Sequence, residues 1–306
     1  MDWVSAIKGF KAYLQLERSL SAHSLDAYSR DVAKLSMFAA EELDHKGPLK
    51  IELQDLLQFI GWLNKVQLDS RSQARILSGV RAFYKFLLVE DLLNDDPTEL
   101  LEGPRQAKYL PDFLSVEDID RVFEAVDLSE DKGHRDRAIL ETLYACGLRV
   151  SELVNAKWSD LMEDLGILKV IGKGNKERLV PIGEQALHQL FIYKEGFRRT
   201  LPVIKGHEDF IFLNKFGKKL SRITVFSLVK AYVAKAGIHK SVSPHTFRHS
   251  FATHLVEGGA SLRLVQEMLG HESITTTEIY THLDIHYLRD TILRYHPMNQ
   301  LREPVQ

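Results

Sequence analysis

The chain has 306 residues, 44% of them hydrophobic and 27% charged, a globular composition with enough length for two domains. No apolar run approaches the roughly 20 residues of a membrane-spanning helix, and Met1-Asp2-Trp3-Val4 lacks the basic-then-apolar pattern of a secretory leader. The net charge of −2 argues against a nucleic-acid partner unless positive charge is segregated onto one face, and the single cysteine, Cys146, excludes an internal disulfide and fits a reduced, cytoplasmic setting.

The first hundred residues read as helices only. Trp3, Ile7, Phe10, Tyr13 and Leu14 recur at helical spacing and predict an amphipathic helix over 4–17. Ser21 is placed to cap a second helix running through Tyr28 towards Phe38, and Gly47-Pro48 breaks the chain. Two further helices are expected over 53–64 and 71–90. In the last, at about 100° per residue, Arg71, Arg75, Arg81 and Lys85 share one side while Ile76, Val80, Phe83, Tyr84 and Leu87 share the other. The stripe carries no acid of its own. It fits a helix that tracks phosphates, with Arg30 and Lys34 extending it, although a stripe of this kind on an isolated helix reads first as a solvated face.

Asp95-Asp96-Pro97, Gly103-Pro104 and Leu110-Pro111 mark a linker, placed at 104–111 between a helical domain, 1–103, and a second domain, 112–306. Ser115 with Asp118 forms a capping box, and the helical pattern runs on from there to Trp158. Two strands are expected over 167–170 and 178–181, joined by the turn Gly172-Lys173-Gly174-Asn175. Beyond Glu184 helices return, interrupted by the apolar Phe210-Ile211-Phe212-Leu213, and the end of the chain carries Tyr287, Leu288, Ile292, Leu293 and Tyr295 at helical spacing.

The chemistry-bearing residues lie in this second part. Near the end stand Pro244-His245-Thr246-Phe247-Arg248-His249, Leu269-Gly270-His271 and Tyr280-Thr281-His282, and far upstream Gly147-Leu148-Arg149-Val150-Ser151-Glu152-Leu153. Arginine forks match two phosphate oxygens at once, and a tyrosine can act as a covalent nucleophile. Arginines, histidines and a tyrosine without clustered carboxylates point to phosphoryl transfer without a metal ion. Glu152, one turn after Arg149, can orient its guanidinium; a surface carboxylate is the competing reading. Singly, Arg149 reads as a surface arginine, Lys173 as a turn lysine and Tyr280 as a half-buried aromatic. His245 and His249 are four apart, as in some zinc sites, but no Glu lies between them and no third ligand follows nearby. The Gly172-Lys173-Gly174 turn lacks the spacing of a nucleotide-binding loop. His249 and His254 are expected to be structural, and Thr275, Thr276 and Thr277 to cap the helix carrying Tyr280.

Together and in order, these residues resemble the tyrosine recombinases of the phage integrase family, marked by an Arg in G-L-R-x-S-E-L, a turn Lys, an H-x-x-R box, a later L-G-H and a Tyr. The length and wording are most similar to the Xer recombinases that resolve chromosome dimers. The resemblance implies a mostly α fold with a small antiparallel sheet, formed by a helical SAM-like core-binding domain and a mixed catalytic domain. It implies Arg149, Lys173, His245, Arg248 and His271 as catalytic groups and Tyr280 as the nucleophile of a 3′-phosphotyrosine intermediate. It also implies no cofactor, double-stranded DNA as substrate and a homo- or hetero-tetramer with a paralogous recombinase on two DNA sites; it leaves open whether the tail docks on a neighbouring subunit or packs on its own domain, and whether a DNA translocase of the cell-division machinery activates the protein. Rival readings are a phage or transposon integrase of the same family, a non-catalytic DNA-binding protein on this fold, and a histidine-ligated metal hydrolase.

Overall fold

The structure is a computed structural model that describes residues 1–18, 20–104, 113–130, 132–172, 176–270 and 282–299, with 282–286 described by their backbone only. The chain divides into two compact units, Met1–Tyr109 and Leu110–Gln306. The expected linker lies, from residue 105 on, outside the described residues. No helix among the described residues is long and apolar enough to cross a membrane.

The N-terminal unit is built from α1 (Trp3–Leu16), α2 (Ala22–Glu42), α3 (Leu53–Lys65) and α4 (Ser70–Val89). Each start has a local cause. The Asp2, Ser21 and Asp69 side chains accept from the backbone N–H three residues on, and Glu52 with Asp55 forms a capping box. Such caps contribute about 1 kcal/mol each. Pro48 opens a short 3₁₀ turn over Pro48–Lys50. The apolar sides meet in one core, where Phe10 stands edge-on to Phe83 at 5.4 Å. Ile76, Val80, Phe83, Tyr84 and Leu87, the apolar face expected of α4, are all buried.

The opposite face of α4 differs from its appearance in sequence. α2 brings Asp31 under it: the carboxylate is buried and accepts from Arg75 Nη1 at 2.6 Å. Gly79 permits this approach, because a Cβ there would lie 2.7 Å from Asp31 Cβ. Burial raises the Asp31 carboxyl above its usual range, opposed by Arg75. Arg81 donates to the Leu101 carbonyl.

The C-terminal unit contains α5 (Val116–Glu124), α6 (Gly133–Ala145) and α7 (Val150–Asn155), then β1 (Leu161–Met162), β2 (Ile167–Ile171) and β3 (Glu177–Pro181), then α8 (Glu184–Glu195), α9 (Arg222–Lys235), α10 (Pro244–Glu257), α11 (Leu262–Leu269) and α12 (His282–Tyr295). The strands form an antiparallel sheet in the order β1-β2-β3, with Leu168 opposite Val180 and Val170 opposite Arg178. The fold is thus mostly helical with one small antiparallel sheet.

Two expectations need correction. The single helical pattern from Ser115 to Trp158 is three helices. The first stops at Glu124, and Gly147, at φ +55°, ends α6 in the left-handed region that favours glycine. β1 was not expected, since two residues carry too little alternation to read. The Phe210–Leu213 segment makes only isolated bridges, Lys157 to Phe210 and Leu213 to Lys219. On α12, Leu288 and Ile292 are buried in the core of their own unit, whereas Tyr287 is exposed. Leu293 is exposed as well, so the tail helix buries one side in its own unit and leaves other apolar residues of the set uncovered.

Candidate active site

Arg149, Glu152 and Arg248, separated by up to a hundred residues of chain, meet at the junction of α7, α10 and the end of α11. Gly147 begins the arrangement. A Cβ on it would fall 2.4 Å from the Phe251 ring, so only glycine lets the α6–α7 turn close on α10. Its carbonyl accepts from Arg248 Nη1 at 2.8 Å. Two residues on, Arg149 is the N-cap of α7. Its backbone N–H donates to Glu152 Oε2 at 2.8 Å, and its Nη1 to Oε1 at 2.9 Å. Its Nη2 reaches the Gly270 carbonyl at 3.3 Å.

α10 orients the second arginine. Pro244 sits in its first turn and Ser243 caps it with Thr246. Phe247, Phe251 and Leu255 are fully buried, each worth about 1.5–3 kcal/mol, and this fixes the rotation of the helix. Arg248 is thereby turned inward and His245 outward, exposed on the first turn. The Arg248 guanidinium donates to the carbonyls of Gly147 and Leu269 and lies 3.9 Å from Glu152 Oε2. Burial, with Arg149 adding repulsion, lowers its pKa to about 10, and Glu152 opposes the fall. It therefore stays charged at neutral pH. Arg149 is the more open of the pair, with 30% of its side chain exposed against 9% for Arg248.

Glu152 is no surface carboxylate. It is buried, and besides Arg149 it accepts from Arg178 Nη1 and Nη2, both at 2.8 Å. Burial would raise its pKa, but the hydrogen bonds and charge of Arg178, with those of Arg149, hold it below the usual value. Three guanidinium groups around one carboxylate leave a net positive cluster, most open at Arg149, suited to a phosphate diester. Arg178 was missed in sequence. The signal was the period of two in β3, which places Arg178 on the same side as buried Val180.

Lys173, His271, Tyr280 and Thr275 to Thr277 lie outside the described residues. Gly172, which precedes Lys173 in the sequence, and Gly270, which precedes His271, both stand beside the arginine cluster. His254 is structural as expected: it is buried and its Nδ1 meets the Tyr144 hydroxyl at 2.7 Å. His249 is exposed. Among the described residues no cluster of three metal-ligating side chains is present. Of the six cations proposed on the N-terminal unit, Arg30, Arg71, Arg75 and Lys85 are exposed, and Lys34 and Arg81 are half-buried. Arg30 Nε donates to the Asp26 carbonyl at 3.1 Å, and Arg75 and Arg81 are tied to Asp31 and Leu101 as described. All six lie on α2 and α4.

Gly270 offers a direct check on the packing. It has φ +66°, and a Cβ would sit 3.1 Å from Arg178 Cδ. Gly270→Ala is expected to lower stability by roughly 1–2 kcal/mol, read as a lower urea midpoint with an unchanged slope.

Comparison with known proteins gives concordant results. Residues 112–286 match the phage integrase family and residues 7–91 the phage integrase N-terminal SAM-like domain. The chain is 40% identical over 295 residues to tyrosine recombinase XerD of Staphylococcus haemolyticus, covering 95% of this chain and 98% of that protein. It is 41% identical over 292 residues to XerD of Staphylococcus saprophyticus, with the same coverage. Among solved structures, the XerH site-specific recombinase in a post-cleavage complex with palindromic difH substrate aligns with TM-score 0.70 at 22% identity, over 90% of this chain and 81% of that one. A lambda integrase dimer bound to a COC′ core site aligns with TM-score 0.70 at 18% identity, over 91% and 100%. These two share the fold.

Proposed function

The chain belongs to the phage integrase family, the tyrosine recombinases, and from this we infer its reaction. It is a XerD-type enzyme that breaks and rejoins DNA in site-specific recombination. Beyond that, we propose that Tyr280 attacks the scissile phosphate in line. The bond from its oxygen to phosphorus forms as the bond to the 5′ oxygen breaks, leaving a 3′-phosphotyrosine and a free 5′ hydroxyl. One ester replaces another, so no nucleotide is consumed. A 5′ hydroxyl of the partner strand reverses the step and completes the exchange.

The observation that carries this reading is the convergence of Arg149 and Arg248 on buried Glu152. Fixed donors aimed at the charge that builds up on the non-bridging oxygens lower the barrier without reorganising during reaction. Arg149 and Arg248 take that part, with His271 as a further donor. His245 receives the tyrosine proton, and Lys173 gives a proton to the leaving 5′ oxygen. The N-terminal unit contributes Arg30, Lys34, Arg71, Arg75, Arg81 and Lys85 to the phosphate backbone, each lending affinity that falls with salt. We propose chromosome dimer resolution in the cytoplasm, ahead of phage or transposon integration, with a paralogous recombinase completing a tetramer on two sites; the length and motif wording shared with the Xer recombinases support this reading.

Lys173 gives the sharpest test of these roles. Lys173→Ala should slow cleavage of a nicked suicide substrate about 10²–10⁴-fold, the usual worth of a general acid. A substrate with sulfur at the 5′-bridging position has a leaving group that barely needs a proton, so the deficit should shrink there. For Arg149→Ala it should persist, because that contact is to non-bridging oxygens. Equal rescue of both variants, or of neither, contradicts the role given to Lys173.

A further inference from the structure

Arg178 takes no part in the chemistry above, yet it is buried and each nitrogen of its fork is committed. Nε donates to the Met268 carbonyl at 2.8 Å, and Nη1 and Nη2 donate to the two oxygens of Glu152. That same carboxylate receives Arg149, so two arginines grip it from different sides. A second link runs through Gly270. Its carbonyl accepts from Arg149 Nη2, and a Cβ on it would lie 3.1 Å from Arg178 Cδ. The Arg149 guanidinium is therefore anchored at one end on the carboxylate that Arg178 holds and at the other on a carbonyl two residues beyond the Met268 carbonyl that Arg178 holds. β3 carries Arg178 into place, with Val170 of β2 directly opposite.

We propose that Arg178 is a positioning residue for strand cleavage, fixing Glu152 and the Met268–Gly270 turn and through them aiming the Arg149 guanidinium at the scissile phosphate. It touches no substrate. Arginine is required because a planar fork meets three acceptors at once, whereas a lysine ammonium is a single point of charge. The inference rests on the phosphate-binding role of Arg149 set out above.

The test compares Arg178→Lys with wild type and with Arg149→Ala. Single-turnover cleavage, gel-shift affinity and thermal melting are measured on the full chain. Arg178→Lys should bind DNA within about threefold of wild type and cleave it about 10²-fold more slowly. A purely structural defect could slow cleavage as well, so a second substrate decides. With a methylphosphonate at the scissile position, the negative charge that Arg149 neutralises is gone. The ratio of wild-type to variant rate should then fall to within about threefold for both variants. A 5′-bridging phosphorothiolate should leave the ratio where it was.

A ratio that stays the same on all three substrates overturns the proposal, as does wild-type cleavage by Arg178→Lys. Rescue by sulfur ties Arg178 to the part given to Lys173 and overturns it too. Should Arg178→Lys fail to fold, the double variant Glu152→Met with Arg178→Met removes the buried charges as a pair and is judged by the same ratios. A wild-type chain that does not cleave the phosphodiester refutes the recombination chemistry itself; a wild type that cleaves, with no collapse on methylphosphonate, refutes only the role of Arg178.

Discussion

Glu152→Ala is expected to destabilise the C-terminal unit by about 3–5 kcal/mol, the cost of removing one partner from a buried ion pair. Arg178 and Arg248 would be left buried, with carbonyl acceptors but no counter-charge, and Arg149 would lose both of its contacts to the carboxylate. For a unit of this size the melting temperature should fall by on the order of 10 °C, and cleavage should be lost even below the melt. Glu152→Gln keeps the shape and removes the charge, so it isolates the electrostatic part. The sign is fixed by the direction of the shift. Glu152 titrates below its ordinary 4.5 in the folded chain, so its contribution is complete above that value and disappears as pH falls through the lower folded one. Wild type should therefore lose its advantage over Glu152→Gln below about pH 4.5 and keep it at pH 7. An advantage that does not change with pH would contradict the ion-pair account.

Tyr280→Phe should abolish covalent attachment to DNA while leaving gel-shift affinity within about threefold of wild type. Only a hydroxyl is removed and the ring that remains has the same size, so an effect on folding would have no source in volume. The phosphate contacts proposed for Arg149, Arg248 and the cations of the N-terminal unit supply the binding, and this change does not touch them. A denaturing gel of the suicide-substrate reaction separates protein-linked from free DNA and reads the result directly. A variant that still forms the adduct would show that another side chain is the nucleophile.

What was legible in the sequence was local. Ser21 and Ser115 announce their helices because a cap needs only the residues that follow within one turn, and the apolar face of α4 is spelled out by its own spacing. The motifs naming Arg149, His245 and Arg248 were equally plain. Partnerships across the chain were not. Nothing near Arg75 discloses Asp31, 44 residues away, which occupies the middle of a stripe that looked purely basic. The residues around Glu152 fit a supporting or a surface carboxylate equally, and what decides is Arg178, 26 residues on, which shares its oxygens. Gly147 could be read as part of a motif, but its reason, the Phe251 ring against its missing Cβ, lies more than a hundred residues downstream. Close approach and charge pairing depend on the tertiary fold, whereas caps and periodicity do not.

The covalent link itself tests the account most directly. Purified protein is incubated with a nicked suicide substrate carrying a chromosome dimer-resolution site, in excess EDTA and without nucleotide, and the DNA-linked peptide is sequenced by mass spectrometry. The expected result is one adduct, on Tyr280 and through the 3′ phosphate, formed as fast as without the chelator. An adduct on another residue, a 5′ linkage, or cleavage that requires a divalent ion would contradict it.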